Sequence, residues 1–460
     1  MCCCCCVHRH LFRPQGAPAD PIKVATFREA IRALREAVEA GDISESDPAY
    51  GRYLRRLMKG PAEHNWGLSI DHTAWATDWN NAESALRRAT DSDWQRHEEE
   101  WIAQREWVHP CLRGVTSPSL PLTCNATNAA SAPGVDSVGW EAFVRSLQSR
   151  LQQLTQVSLP TPDADMKEFT ADLLNDMEPI LCGRTEIAFS GTDGAIRSLT
   201  DVQTGRQWVA GGGGTLASFR YRTYSDADFS DTFAREYTAS GDFMKQGMAS
   251  ASPFSREWEP ILVRGFIEQP SLQNGQDGCH AIMELIMEDE LSVQEYGAPL
   301  NISIEYKVPG KNGALLDVNV TLSNKTSTRL AESTWFSFAP ISTEPTVPHW
   351  EMDIMGNPVS PLEVVDGGTH WIHAVETGVT FMAPSANASR SLRIFALDTP
   401  LLSPGDTAHA LRYNDEQPDA VHGGMHFMLH NNLWGTAFPQ WYPFVDGDNL
   451  LARFQVFADP

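Results

Sequence analysis

No stretch of this 460-residue chain approaches the ~20 consecutive apolar residues that a membrane span needs. It does not open as a signal peptide does, with a basic start and an apolar run of ~7–15 residues. Met1 is followed instead by Cys2 to Cys6, then His8, Arg9, His10 and Arg13. Adjacent cysteines can be acylated or bind soft metals. We read residues 1–21 as a disordered Cys-rich tail, or as a misplaced start of the coding sequence. Basic residues are scarce, with 35 Lys and Arg against 59 Asp and Glu, for a formal net charge of −24. That excludes nucleic acid as a natural partner, because phosphate binding needs basic patches. It also disfavours an anionic membrane surface and favours solubility. Beyond the tail only Cys111, Cys124, Cys182 and Cys279 remain, without the CxxC spacing of a zinc site. The glycines 211–214 lack the strand before and helix after that a phosphate cradle requires.

Apolar material is plentiful. A hydrophobic share of 42% and 14 tryptophans supply folded cores, and the length allows two or three domains. The first half has a helical period. Thr26 and Glu29 form a capping-box pattern before Phe27, Ala30, Ile31, Leu34, Ala37 and Val38, which make one stripe that Gly41 ends. Asp47-Pro48 opens a second helix through Tyr53, Leu54 and Leu57. Residues 81–108 read as one long helix carrying Trp94 and Trp101, with charges facing water. Residues 113–137 are rich in Ser, Pro and Thr and read as an insertion. A further helix runs from near Trp140 through Phe143, Leu147, Leu151 and Leu154.

From about Thr185 the period changes to two. Val318, Val320 and Leu322 alternate with Asp317, Asn319 and Thr321, which marks a strand with one buried face. Residues 186–199 read as a hairpin turning at Asp193-Gly194, and Thr204-Gly205 is the next turn. Residues 301–308, 391–396 and 450–457 are further strands. The expected fold is α+β and multidomain: a helical bundle over 22–182, then a large antiparallel β-sandwich over 183–460. Asn-x-Ser/Thr sequons stand at Asn125, Asn301, Asn319, Asn324 and Asn387. They permit secretion without showing it.

Two blocks carry a resemblance. One is Ala62-Glu63-His64-Asn65-Trp66-Gly67-Leu68, continuing to Trp79 and to Glu100-Trp101-Ile102-Ala103-Gln104-Arg105. The other begins Trp350-Glu351-Met352-Asp353-Ile354-Met355-Gly356 and ends Asn431-Asn432-Leu433-Trp434-Gly435-Thr436-Ala437-Phe438-Pro439-Gln440-Trp441-Tyr442. Together they resemble the family known as domain of unknown function 5054 over roughly residues 22–458. Its full-length members are similar to glycoside hydrolase family 38, the α-mannosidases. The resemblance implies a catalytic α/β barrel, then a three-helix bundle, then a galactose-mutarotase-like β-supersandwich. It also implies retaining hydrolysis with a divalent metal, usually zinc. The barrel's His-x-Asp metal pair is absent: none of the 14 histidines is followed two residues later by Asp. The chain thus reads as the truncated rear portion of such a protein, without independent glycosidase activity. A retaining glycosidase also needs two carboxylates about 5 Å apart, and no pair can be assigned from sequence.

By the same resemblance His64 matches the helical-region metal ligand. Asn65 stands where a substrate-contacting aspartate would be, with Trp66 beside it. A lone histidine does not make a zinc site, and His64 also reads as a hydrogen-bonded core residue. The second block has two readings. Asn432, Trp434 and Gln440 line a sugar-binding face, rings stacking on a pyranose and amides taking its hydroxyls. Alternatively the rings pack a loop onto the sandwich. Carbohydrate is the expected ligand class. A glycan-binding module or a structural remnant without catalysis is the competing reading. Sugar, linkage, oligomeric state and compartment are not legible.

Overall fold

Alternating apolar residues in the second half bury one face of each strand, and the strands accordingly pair into two layers closed on a common core. The computed structural model describes residues 14–61, 81–109, 137–209, 214–230, 254–268, 278–309, 315–341, 348–365, 368–384, 389–412, 418, 423–433, 440–445 and 447–458. Among them, two ten-stranded sheets face each other, and every pairing is antiparallel. The first sheet centres on strands Cys279–Ile286, Asn301–Val308, Leu316–Ser323 and Leu450–Ala458. The second centres on Thr215–Thr223, Glu332–Ala339, Gly424–Asn431 and Leu401–Gly405. Phe336, Phe338, Phe427 and Phe454 meet between them, with Phe336 stacked on Phe454 at 5.2 Å. The hairpin at Asp193-Gly194 forms as its turn chemistry requires, Gly194 taking φ +66°.

The sheets begin earlier than residue 183. Strand Lys167–Phe169 pairs with Ile261–Ile267, and Ile180–Cys182 pairs with Thr185–Phe189. Short edge strands like these have too few residues to show a period of two. Cys182 and Cys279 are joined in a disulfide. One half belongs to each sheet, so the bond staples the two layers together. It closes a loop across a sequence separation of 97. Constraining so long a loop in the unfolded chain stabilises the fold by about 2–4 kcal/mol. Cys182→Ser, or reduction of the parent, is expected to lower the urea midpoint by the corresponding amount. An unchanged midpoint in reductant would overturn this.

The helices do not gather about one core. Pro21–Glu39, Pro48–Lys59 and Ser137–Thr155 share a cluster built on Leu34, Tyr53, Leu57, Phe143, Leu147 and Leu151. Helix Ser92–Arg105 instead presents Trp94 and Trp101 to the sandwich core. The expected helix over 81–108 is interrupted. Asp91 caps a new helix by accepting from the backbone N–H groups of Asp93 (2.8 Å) and Trp94 (3.3 Å). The Thr26–Glu29 capping box is likewise not the helix start. Asp20 is the N-cap, accepting from the Lys23 N–H at 3.1 Å, with Pro21 in the first turn. Thr26 donates back to the Ile22 carbonyl at 2.8 Å, inside the helix.

This moves the limit of the presumed tail. Cys2 to Cys6 lie outside the described residues, but Ala19, Asp20 and Pro21 are buried and Pro14–Ala19 packs on strand Gly424–Asn431. Asp20 pairs with Arg105 at 3.0 Å, and Arg105 reaches Asp448 at 2.9 Å. The insertion read over 113–137 falls almost wholly on undescribed residues. A second polar seam fixes the first helix to the sandwich. Arg28 donates to the carbonyls of Glu376, Ala396 and Leu397, and Glu29 meets Arg453 at 2.7 Å. Burial alone would raise the Glu29 carboxyl, but the Arg32 and Arg453 guanidiniums outweigh it and hold it at about 2.

Candidate functional site

The second sheet turns one face to the sandwich core and the other away from it. Along strand Thr215–Thr223, Leu216, Phe219 and Tyr221 join the core, while Ser218, Arg220 and Arg222 stand on the other face. A bulge makes this possible. Ala217 takes φ +65°, and the register with Glu332–Ala339 shifts between Ser337 and Phe338. A non-glycine residue in this left-handed region is strained, and here the bulge sets Ser218 opposite Ser337.

Pairing then builds two rows across the sheet. Ser218 faces Ser337, Ser337 faces His426, and His426 faces Ser403. In the next row Arg220 faces Trp335, and Trp335 faces Met428. Directly opposed residues share a face, so hydroxyls, an imidazole, a guanidinium and an indole lie together.

Hydrogen bonds fix the states of these groups. His426 Nε2 lies 2.8 Å from the Gly405 carbonyl, which only accepts, so Nε2 carries the proton. Nδ1, 2.7 Å from Ser337 Oγ, therefore accepts from that hydroxyl. Burial pushes the His426 imidazole down to about 4, against the bond to Gly405. His409 is arranged similarly. Its Nδ1 accepts from the Leu411 N–H at 3.1 Å, leaving Nε2–H toward Asp228 at 3.4 Å. Burial brings His409 down to about 4 as well. Burial would raise Asp228, yet hydrogen bonds from His409, the Ser225 N–H and Ser255 hold it well below the usual carboxylate range.

Tyr224 ties this group to the rows. Its hydroxyl meets Ser333 Oγ at 2.7 Å and accepts from the Ala410 N–H at 3.2 Å, and the Trp335 indole donates to Ser333 at 2.6 Å. At the rim Arg220 lies 3.3 Å from Glu259 and 3.7 Å from Glu257, which also meets Arg222 at 3.4 Å. Arg220, Glu257 and Glu259 keep 20%, 29% and 53% of their side-chain surface exposed, whereas Ser218, Ser337, Ser403, His426 and Trp335 are buried, so among the described residues of these rows and their rim these three charges are open to a ligand.

The residues singled out from the sequence lie elsewhere or outside the described region. His64, Asn65, Trp66 and Trp434 are outside it. Asn432 is buried, and its amide is spent on backbone. Its oxygen accepts from the Glu332 N–H at 2.9 Å, and its nitrogen donates to the carbonyls of Thr328 and Leu330. Gln440 is fully buried beside Trp441. Trp441 stacks on Trp94 at 5.2 Å, and Tyr442 packs against Phe444 and His430. Asn432 and Gln440 are thus closed to a ligand, and Trp441 packs onto the sandwich. The amides of Asn432 and Gln440 suit a sugar subsite by composition, and a packed loop shares that composition.

Sequence reasoning missed Ser218, Arg220, Ser337, Ser403, His409 and His426. Alternation along residues 215–223 was the available signal for Arg220 and Arg222. Nothing local pairs Ser337 with His426. Among the described residues no group of three or more His, Cys, Asp or Glu side chains is arranged to hold a metal ion. No described helix is long and apolar enough to cross a membrane.

A family model described as Domain of unknown function (DUF5054) matches residues 17–132 and 141–316. No curated protein matches the chain. Among solved structures it is similar to a galactose mutarotase-like protein from Lactobacillus casei, at 11% identity and a TM-score of 0.33, over 61% of this chain and 99% of that one. A galactose mutarotase related enzyme from Lactobacillus acidophilus aligns at 8% identity and 0.33, over 62% and 98%. The 4-alpha-glucanotransferase from Thermococcus litoralis aligns at 8% and 0.24, over 82% and 48%.

Proposed function

This chain belongs to the family described as Domain of unknown function (DUF5054), whose model spans more than half of it, and we propose that it is a carbohydrate-binding protein, built, by sequence resemblance, like the rear part of an α-mannosidase. The observation that carries the reading is the partly exposed cluster of Arg220, Glu257 and Glu259 at the rim of the second sheet's outer face. Sugar hydroxyls each need a donor and an acceptor. Arg220 donates while Glu257 and Glu259 accept, and the buried Ser218, Ser337, His426, Ser403 and Trp335 stand behind them as the scaffold that holds this rim in register. Arg220 and Glu259 at the rim are the first donor and acceptor a glycan would meet. Asn65, Trp66 and Trp434 extend the proposal by resemblance alone, as does His64 as the ligand of a divalent metal.

Glycan-array binding by the full chain is the test. Arg220→Ala and Glu259→Gln are expected to weaken binding about tenfold, which corresponds to ~1.4 kcal/mol, while leaving the urea midpoint close to the parent's. A parent that binds no glycan, or variants that bind as the parent does, would favour a purely structural or interaction role.

A further inference from the structure

We propose that Asn324 is an acceptor for an N-linked glycan. Three sequons fall on described residues, and the fold treats them differently. Asn301 and Asn319 sit in strands Asn301–Val308 and Leu316–Ser323, each paired on both sides. Their hydroxyl partners Ser303 and Thr321 are buried, at 3% and 5% exposure. The Asn319 amide nitrogen is also committed, donating to Glu305 Oε2 at 2.8 Å. A glycan on either asparagine would have to displace sheet contacts.

Asn324-Lys325-Thr326 is the reverse case. Asn324 and Thr326 are both exposed where the chain leaves the strand. Lys325 between them turns inward, its Nζ meeting Glu332 at 2.6 Å and the Gly297 carbonyl at 2.9 Å. That anchor holds the sequon's two reactive members outward. Asn324 has φ +56°, a conformation asparagine tolerates better than most residues. The turn alone accounts for an asparagine here, but not for an exposed threonine two positions on. The Cys182–Cys279 disulfide is a second, independent observation, because such bonds persist in oxidising compartments, where N-glycosylation also takes place.

The step forms a bond between the Asn324 side-chain nitrogen and the anomeric carbon of an oligosaccharide. It breaks that carbon's bond to a lipid diphosphate, which leaves, and one amide proton is lost to a transferase base. No electron changes hands. The test directs the full chain into the secretory pathway of a eukaryotic host and reads each sequon peptide by mass spectrometry before and after glycosidase treatment. The Asn324 peptide is expected to carry sugar, and enzymatic release should convert Asn324 to aspartate. Thr326→Val should abolish occupancy there and Thr326→Ser should retain it, both without touching the strained asparagine. A bare Asn324 peptide in the secreted parent would overturn the proposal, as would occupancy that survives Thr326→Val.

Discussion

Between pH 6.5 and 4 the chain is expected to lose several kcal/mol of stability, at roughly 1–3 kcal/mol for each buried neutral histidine. Burial lowers three histidines, His373, His409 and His426, to about 4 in the folded protein. In the unfolded chain an imidazole titrates near ~6.5. Above that pH neither state is protonated, so the contribution is fully present. As pH falls toward 4 the unfolded state takes up protons that the folded state refuses, and stability falls. A shift of that size is worth at most roughly 3 kcal/mol per histidine, against a total stability of about 5–15 kcal/mol for a typical protein. Glu29 and Glu305, both held at about 2, add a further loss of the same sign once the pH drops below the ordinary carboxylate range. Urea midpoints at pH 7.5, 6 and 5 check this. His426→Gln should start lower and show a shallower pH slope. A midpoint that does not move between pH 7.5 and 5 would sink the assignment of these imidazoles as buried and neutral.

Trp441→Ala is expected to cost about 3–5 kcal/mol, the range for truncating a buried large ring. Trp441 is 1% exposed and lies between two helix residues, stacked on Trp94 at 5.2 Å and tilted against Trp101 at 6.4 Å. The Arg329 guanidinium covers its ring at 5.0 Å. The cavity would open at the seam between helix Ser92–Arg105 and the sandwich. The loss should therefore appear both as a lower urea midpoint and as faster proteolysis within that helix. A midpoint equal to the parent's would show that the seam tolerates the change and that Trp441 is free for another role.

How much of this was readable without the structure depends on the range of the cause. Residues 301–308 and 450–457 were identifiable as strands because one buried face imposes a period of two on neighbouring residues. The Asp47 cap, the Gly41 stop and the Gly194 turn are local too, and all appear where the residue types place them. Alternation also shows that Ser218, Arg220 and Arg222 share a face. It does not say which strands lie beside them. The row from Ser218 through Ser337 and His426 to Ser403 is assembled by pairing strands far apart in the chain, with a bulge at Ala217 setting the register. The same limit applies to Asn432 and Trp441. Their chemistry suits a sugar or a core equally, and only the arrival of helix Ser92–Arg105 and the Glu332 backbone decides for burial. Local sequence determined which elements form and which faces are apolar, because those follow from neighbouring residues. The tertiary structure alone decided which polar groups meet, because register and contact between distant segments follow from packing of the whole chain.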